Sequence, residues 1–405
     1  MNPEESLGTL DVALFVNQPI YYDEVRGEYS SDYMNFIDFL FEASRLFRTV
    51  SVCLPVDDGS GETVLDLPDN VEIVHLPHYH GPMDLLTSIH NVLPGLVRAI
   101  RSPEFVEADL VGTVVPSTLG AVTVLQTYYA GSAPHFFVMR GDKRQTLARI
   151  TDGSPLKKVL LGGPIRTYDW LFSRLATNDD VALLTIGDLR ETIADYGYDP
   201  QDVTPFRPLI PGDIVLEQPD VAESLTDILY VGRLSDEKGV NDLVRAFERL
   251  RETDESLRLH IVGSGPAEQY LQDLVTELGL VDSVQFHGFV PKGPELWHHF
   301  DSADAFVVTS HTEGLPRVVG EAMARGLPVV TTAVGGLPDL IKHGENGLLV
   351  EPRTVENVVE QVERLSQDPG LRSRLAEAGI ETAAELTFSA AAEQFGTILV
   401  EELFE

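Results

Sequence analysis

The chain has 405 residues, 64 acidic against 29 basic, with a formal charge of −35 at pH 7. Its length suits two or three domains with sizeable cores, and an apolar share of 43% excludes a disordered chain. The negative excess excludes general attraction to nucleic acid or anionic membranes, and a single cysteine, Cys53, excludes any disulfide framework or multi-cysteine metal site.

Only six of the basic residues are lysines. So acidic a surface repels itself in dilute salt, whereas at 1 M salt the Debye length shrinks to about 3 Å. The composition therefore reads as that of a protein built for a salty cytoplasm, with an acidic mesophilic enzyme as the alternative. The acidic start Met1-Asn2-Pro3-Glu4-Glu5 is unlike a signal peptide, and no Asn-x-Ser/Thr sequon occurs. A cytoplasmic location is expected. Residues 110–139 lack Asp, Glu, Lys and Arg but are broken by Gly112, Pro116, Gly120, Gly131 and Pro134. No apolar run of about 20 residues survives there, so a buried strand–helix–strand is expected in place of a membrane span.

In chain order, strands and helices alternate. The apolar runs 10–17, 50–54, 71–76, 110–115, 136–139 and 181–186 read as short strands. Between the first two, Tyr33, Phe36, Ile37, Leu40 and Phe47 have helical spacing over 31–47, with Ser30 or Ser31 as N-cap. Prolines at 200, 205, 208, 211 and 219 mark an exposed hinge. The alternation then restarts, with strands at 228–231, 257–262, 284–286, 305–309, 329–332 and 347–350. Helices fall at 240–251, 267–278 and 316–324, and mostly helical sequence runs from 355 onward. Continuous Val/Ile/Leu strands separated by helices imply parallel sheets covered on both faces. The expected fold class is α/β, with two doubly wound Rossmann-like domains whose strand ends can face each other across a cleft. The expected domains are 1–212 and 213–388, followed by a C-terminal helix at 389–405.

Two segments carry chemistry. In Tyr230-Val231-Gly232-Arg233-Leu234-Ser235-Asp236-Glu237-Lys238-Gly239, a strand ends and two cations follow just before a helix. A diphosphate would be stabilised there, beside the positive end of that helix. In Glu313-Gly314-Leu315-Pro316-Arg317-Val318-Val319-Gly320-Glu321, Pro316 fits the first turn of a helix whose leading amides form a second anion site. Glu313 can accept hydrogen bonds from sugar hydroxyls, and Glu321, further into the helix, can reach a ribose diol.

These segments resemble the nucleotide-sugar glycosyltransferases of family four, also called group 1, with the GT-B fold. The likeness runs on through Val-Gly-Ser-Gly-Pro (262–266), Phe-His-Gly-Phe-Val (286–290), Gly-Leu-Pro-Val-Val (326–330), Gly-Gly-Leu-Pro-Asp (335–339) and His-Gly-Glu-Asn-Gly-Leu-Leu-Val (343–350). It covers roughly 228–390. The resemblance implies that Arg233 and Lys238, after Gly232, hold the donor diphosphate and steady the leaving group. It implies that Glu313 meets the sugar, that amides from Gly314 and Leu315 through Pro316 and Arg317 to Val318 cradle the anion, and that Glu321 binds the ribose. Main-chain groups near Phe289 and Val290 would meet the base, and Gly263 and Gly265 would permit close approach. The resemblance further implies retention of configuration, no catalytic metal and no cofactor beyond the donor, UDP- or GDP-linked. It implies a final helix packed back on the N-terminal domain.

Rival patterns are incomplete. Gly263-x-Gly265 has Glu268 where a dinucleotide fingerprint needs its third glycine, and no Asp-x-Asp metal signature occurs. The N-terminal half departs from the family: in place of a Gly-Gly pair after the first strand, the loop carries Tyr21 and Gly27. Those two, with His78, Ser117 and Arg140, are the acceptor-side candidates. His75, His78 and His80 also permit a zinc reading, although no carboxylate partner is placed by the pattern. Relatives often have a histidine near the positions of Arg140 and Asp142; none stands there.

The expected function is retaining transfer of a hexosyl unit from a nucleoside-diphosphate sugar to a hydroxyl of a glycan or lipid-linked acceptor. No nucleic acid partner and no transmembrane span are expected, with peripheral contact at the inner membrane face as an option. The alternatives are an epimerase or phosphorylase of the same fold and a catalytically silent scaffold subunit. The charge generates a prediction of its own: the melting temperature should rise from 0.1 to 2 M KCl, at concentrations on the scale at which screening becomes short-ranged. A flat response would contradict the salt-adapted reading.

Overall fold

A computed structural model describes residues 6–31, 35–61, 63–78, 101–115, 133–140, 181–186 and 205–404, together with 94–95, 97–99, 189, 193–194, 199 and 203. The chain divides into two compact units, residues 1–208 with 388–405, and residues 209–387.

In the first unit the described elements are β1 (Asp11–Phe15), β2 (Ile20–Asp23), β3 (Glu28–Ser31), α1 (Asn35–Ser44), β4 (Thr49–Asp58), β5 (Thr63–Val64) and β6 (Val71–Pro77). There follow α2 (Pro103–Val106), β7 (Leu110–Val115), β8 (His135–Met139), β9 (Val181–Ile186) and β10 (Pro205–Phe206). The parallel core of the sheet runs β6-β4-β1-β7-β8-β9-β10. β1 shows why it is covered on both faces: Val12 and Leu14 enter one apolar cluster, Ala13 and Phe15 another.

In the second unit the elements are β11 (Asp227–Val231), α3 (Val240–Thr253), β12 (Arg258–Val262), α4 (Glu268–Glu277), β13 (Val284–Gly288), α5 (Pro294–Asp301) and β14 (Ala305–Val308). α6 (Arg317–Ala324), β15 (Val329–Thr332), α7 (Leu337–Leu340), β16 (Leu348–Val350), α8 (Val355–Gln367) and α9 (Pro369–Glu385) complete it. All six strands pair in parallel in the order β13-β12-β11-β14-β15-β16. The order reverses between β11 and β14, the topological switch point at which ligands of open α/β sheets bind. The helices leaving these two strands cover opposite faces. Val240, Leu243 and Phe247 of α3 join the cluster of Ile228 and Tyr230, while Val319, Ala322 and Met323 of α6 join that of Leu229.

The last helix, α10 (Phe388–Leu403), belongs to the first unit. Phe388, Ala391, Ala392, Phe395 and Leu399 recur at helical spacing and join the core cluster of α1. The Phe395 ring meets Phe39 edge-on, with centroids 5.9 Å apart.

Three expectations are corrected. The loop after β1 is a β-hairpin: β2 runs parallel to β4 and antiparallel to β3, and Gly27 turns it with φ 70°. Ser30 and Ser31 are therefore buried strand residues and not caps of α1. The boundary between the two units falls within the proline-rich stretch, but the stretch is not exposed throughout. Phe206 and Ile210 are fully buried, β10 pairs with β9, and the amides of Leu209 and Ile210 both reach the Leu386 carbonyl (3.0 and 3.2 Å). Apolar residues interleaved with the prolines bury part of this segment, while Gly212, Asp213, Glu217 and Gln218 stay exposed. Lastly, Pro316 stands at the N-cap with φ −73° and ψ 121°, so α6 starts one residue later.

Arg372 of α9 has no exposed surface, and its guanidinium donates to the carbonyls of Leu365 (2.6 Å) and Ser366 (3.3 Å) at the end of α8. It also reaches Ala222 (2.9 Å) and Glu223 (2.8 Å) before β11. A positive charge complements a helix C-terminus, and removing it strands several buried acceptors. Arg372→Met should cost about 3 kcal/mol or more in urea unfolding, at the upper end for bonds to charged groups. A loss within experimental error would show that those carbonyls find other partners.

Candidate functional site

The loops after β11 and β14 meet at the switch point. Beyond β11 the chain makes a 3-10 turn, Asp236–Lys238, closed by Gly239 in the left-handed region at φ 60°. Lys238 leaves this turn, and its Nζ lies 2.7 Å from Oε1 of Glu313, which follows β14. Ser310 Oγ donates to the same oxygen at 2.7 Å. Both side chains are largely buried, at 24% and 8% exposure, so little water screens the pair. Since both bonds end on Oε1, the Oε2 atom is the one left to accept from a ligand. The ammonium has three N–H bonds, so it can hold Glu313 and an anion together.

The glycines around this pair admit the chain's own backbone. A Cβ on Gly263 (φ 136°) would lie 1.9 Å from the Gly232 carbonyl, and one on Gly265 would lie 2.2 Å from that of Leu234. The close approach they permit is thus between the loops after β11 and β12, where Leu234 N–H donates to Ser264 at 2.9 Å. On the other side a Cβ on Gly335 would lie 2.0 Å from the Glu313 carbonyl, while Gly336 N–H donates to the Gly314 carbonyl at 2.7 Å. The Glu313-Gly314 turn is braced from behind, and the open space at Gly314 faces outward. Arg233 is exposed, and the Tyr230 hydroxyl donates to its carbonyl at 3.2 Å. Burial, with Glu313 and Glu237 nearby, pushes the Tyr230 phenol up, so it stays neutral.

Leu315 and Val318 pack against the apolar cluster of α6, leaving their main chain at the helix start, where leading amides have no intrahelical acceptor. Glu321 is buried in α6, with Arg317 Nη2 3.6 Å away. Burial raises the Glu321 carboxyl pKa, while Arg317 and Lys292 pull it down. Lys292 lies in the loop after β13 that also holds Phe289 and Val290, so that loop is electrostatically linked to Glu321. The Phe289 ring is 73% exposed, whereas Val290 packs against the core. Behind this loop the His287 ring stacks on His260, whose Nε2 donates to Asp227 at 2.8 Å.

In the first unit, Tyr21 and His78 flank one acid, Asp57. Tyr21 is its cross-strand partner, and His78 Nδ1 lies 3.4 Å from its carboxylate. The carboxylate that the pattern did not place beside the histidines is therefore present. His75 is bound instead to the Tyr29 hydroxyl at 2.7 Å. Gly27 is the hairpin turn, with its N–H on the Asp23 carbonyl at 2.8 Å. Arg140 stacks 4.3 Å over Phe36 and donates to Gln18 at 3.2 Å. Ser117, His80 and Asp142 lie outside the described residues. Among the described residues, no group of three or more His, Cys, Asp or Glu could hold a metal ion.

Sequence reading missed Ser310 and Lys292, and it gave Gly335-Gly336 only as part of the family likeness, without the bracing role.

Comparison with known proteins gives a family likeness over part of the chain and a likeness of fold over nearly all of it. The profile of the family described as glycosyl transferases group 1 matches residues 216–382. An uncharacterized glycosyltransferase of Methanocaldococcus jannaschii is 42% identical over 145 residues, 36% of this chain and 37% of that protein. A D-inositol 3-phosphate glycosyltransferase of Thermomonospora curvata is 33% identical over 235 residues, 52% of this chain and 54% of that protein. The chain therefore spans only 37% and 54% of these relatives. Among solved structures, the Anabaena protein HepE in complex with UDP has a TM-score of 0.66 at 18% identity, over 97% of this chain and 100% of that one, a likeness of fold. Residues 216–382 therefore resemble the group 1 glycosyl transferases, and the fold is the GT-B fold of two Rossmann-like units.

Proposed function

We propose that the protein transfers a hexosyl unit, with retention of configuration, from a nucleoside-diphosphate sugar to a hydroxyl of a glycan or lipid-linked acceptor. The observation that carries this reading is the Lys238–Glu313 pair at the carboxyl ends of β11 and β14. A cation, a carboxylate and a helix start converge at the place where an open α/β sheet takes a nucleotide. HepE, of the same fold, is solved with UDP, which favours a uridine or similarly built donor.

In this reading Arg233 and Lys238 neutralise the diphosphate as it departs, the task a divalent metal performs elsewhere. Glu313 Oε2 holds the sugar hydroxyls, and the main chain from Gly314 to Val318 cradles phosphate. Glu321 takes the ribose diol, with the base beside Phe289 and Val290. The bond from the anomeric carbon to the β-phosphate oxygen breaks. The acceptor oxygen bonds that carbon on the same face, and its proton passes to the leaving phosphate. No side-chain nucleophile and no cofactor are needed. Tyr21, His78 with Asp57, and Arg140 serve the acceptor side. Among the described residues no helix is long and apolar enough to cross a membrane; we place the reaction in the cytoplasm, against a glycan or a lipid-linked acceptor at the inner face.

Lys238→Ala should lower turnover at saturating donor by about 10²-fold, as loss of one transition-state electrostatic contact does. Near-normal turnover would remove Lys238 from the leaving-group role. Glu321→Gln keeps the shape of the side chain but halves its accepting capacity, so calorimetric affinity for UDP or GDP should fall about tenfold, the scale of one charge-assisted hydrogen bond. Unchanged affinity for both nucleotides would exclude the ribose assignment.

A further inference from the structure

His311 is held at two points that bracket Lys238. Its backbone N–H donates to the Glu237 carbonyl at 2.8 Å, and its ring Nε2 donates to Asp242 Oδ2 at 2.7 Å, in the first turn of α3. Both side chains of the His311–Asp242 pair are 15% exposed, so the contact is sheltered. Between these two anchors lies Gly239. A Cβ there would meet His311 Nε2 at 2.9 Å and the Thr309 carbonyl at 2.1 Å. Thr309 Oγ1 donates to the Gly239 carbonyl at 2.8 Å. One residue thus ties segment 237–242, which carries the lysine, to the loop that carries Glu313 two residues later: its main chain holds the Glu237 end and its ring the Asp242 end.

We infer that His311 is a positioning residue: it staples segment 237–242 to the Glu313 loop and so fixes the direction in which Lys238 points. The inference rests on the donor-site reading for its catalytic consequence. Its geometric content stands on these contacts alone. Lysine is a flexible point charge on a four-carbon stem, and the usefulness of its ammonium depends on where its backbone turn is held. A shift of about 1 Å in a positioned group is enough to cost on the order of 10²-fold in rate. Because His311 lies behind the turn and bonds Asp242, it need not touch the donor.

Two variants separate positioning from bulk. His311→Ala removes the ring, while His311→Gln keeps an N–H donor near the place of Nε2. Amide hydrogen exchange in a peptide covering 234–241 reads the staple without any ligand. Hydrolysis of UDP-glucose, with kcat and KM measured separately, reads its catalytic effect. We expect His311→Ala to exchange about tenfold faster in that peptide and to lose about tenfold or more in kcat, with KM changed by less than about threefold. His311→Gln should recover most of both. Wild-type exchange and wild-type kcat in the alanine variant would overturn the inference, as would a glutamine variant no better than alanine. A wild-type protein that neither binds UDP nor hydrolyses UDP-glucose would count against the donor reading instead, and the exchange measurement would still decide the staple.

Discussion

The bond between Lys238 and Glu313 is where the sheet of the second unit turns into a site. β11 and β14 are neighbours in the sheet, yet the segments leaving them diverge to helices on opposite faces. Such divergence leaves a hollow beyond the strand ends. Into it the two loops send opposite charges that meet at 2.7 Å. Neither charge is wasted: each holds the other in place and retains bonding capacity for a ligand. The remaining features of the unit serve to keep these loops where they are.

That support is mostly backbone. Gly239, Gly263, Gly265 and Gly335 each have a carbonyl 1.9–2.2 Å from the position of the Cβ they lack. Gly239, Gly263 and Gly335 also have positive φ, which other residues adopt at a cost. Four loop contacts at main-chain distance produce a rigid floor, and on such a floor a few side-chain bonds, from Ser310, Thr309 and Tyr230, suffice to orient the charged groups. The glycines of the motif 262–266 thereby gain a structural meaning distinct from that of a nucleotide-binding fingerprint.

The strands of both units were legible because continuous runs such as Leu110–Val115 and Ala305–Val308 have no other stable place than a doubly covered sheet. The hairpin after β1 was not legible. Tyr21, Tyr22 and Tyr29 do not make an apolar alternation, and their strands exist because β4 runs on past β1 to Asp58 and offers a free edge. α5 was hidden by its polar face, and the proline stretch was read as exposed throughout because proline content was weighed above Phe206 and Ile210. In the site, the charged residues could be named from their positions after strand ends. Their mutual bonds could not, since the 75 residues separating Lys238 from Glu313 make that contact a property of strand order alone. The Asp57–His78 contact was missed for a similar reason: it depends on the register of β4 against β6.

A crystal structure of the protein grown with UDP tests the central claim most directly. The account predicts the β-phosphate at the carboxyl ends of β11 and β14, within hydrogen-bond distance of Lys238 Nζ and the Arg233 guanidinium. It predicts the ribose hydroxyls on the Glu321 carboxylate. UDP bound elsewhere on the chain, with Lys238 still engaged only by Glu313, would contradict it.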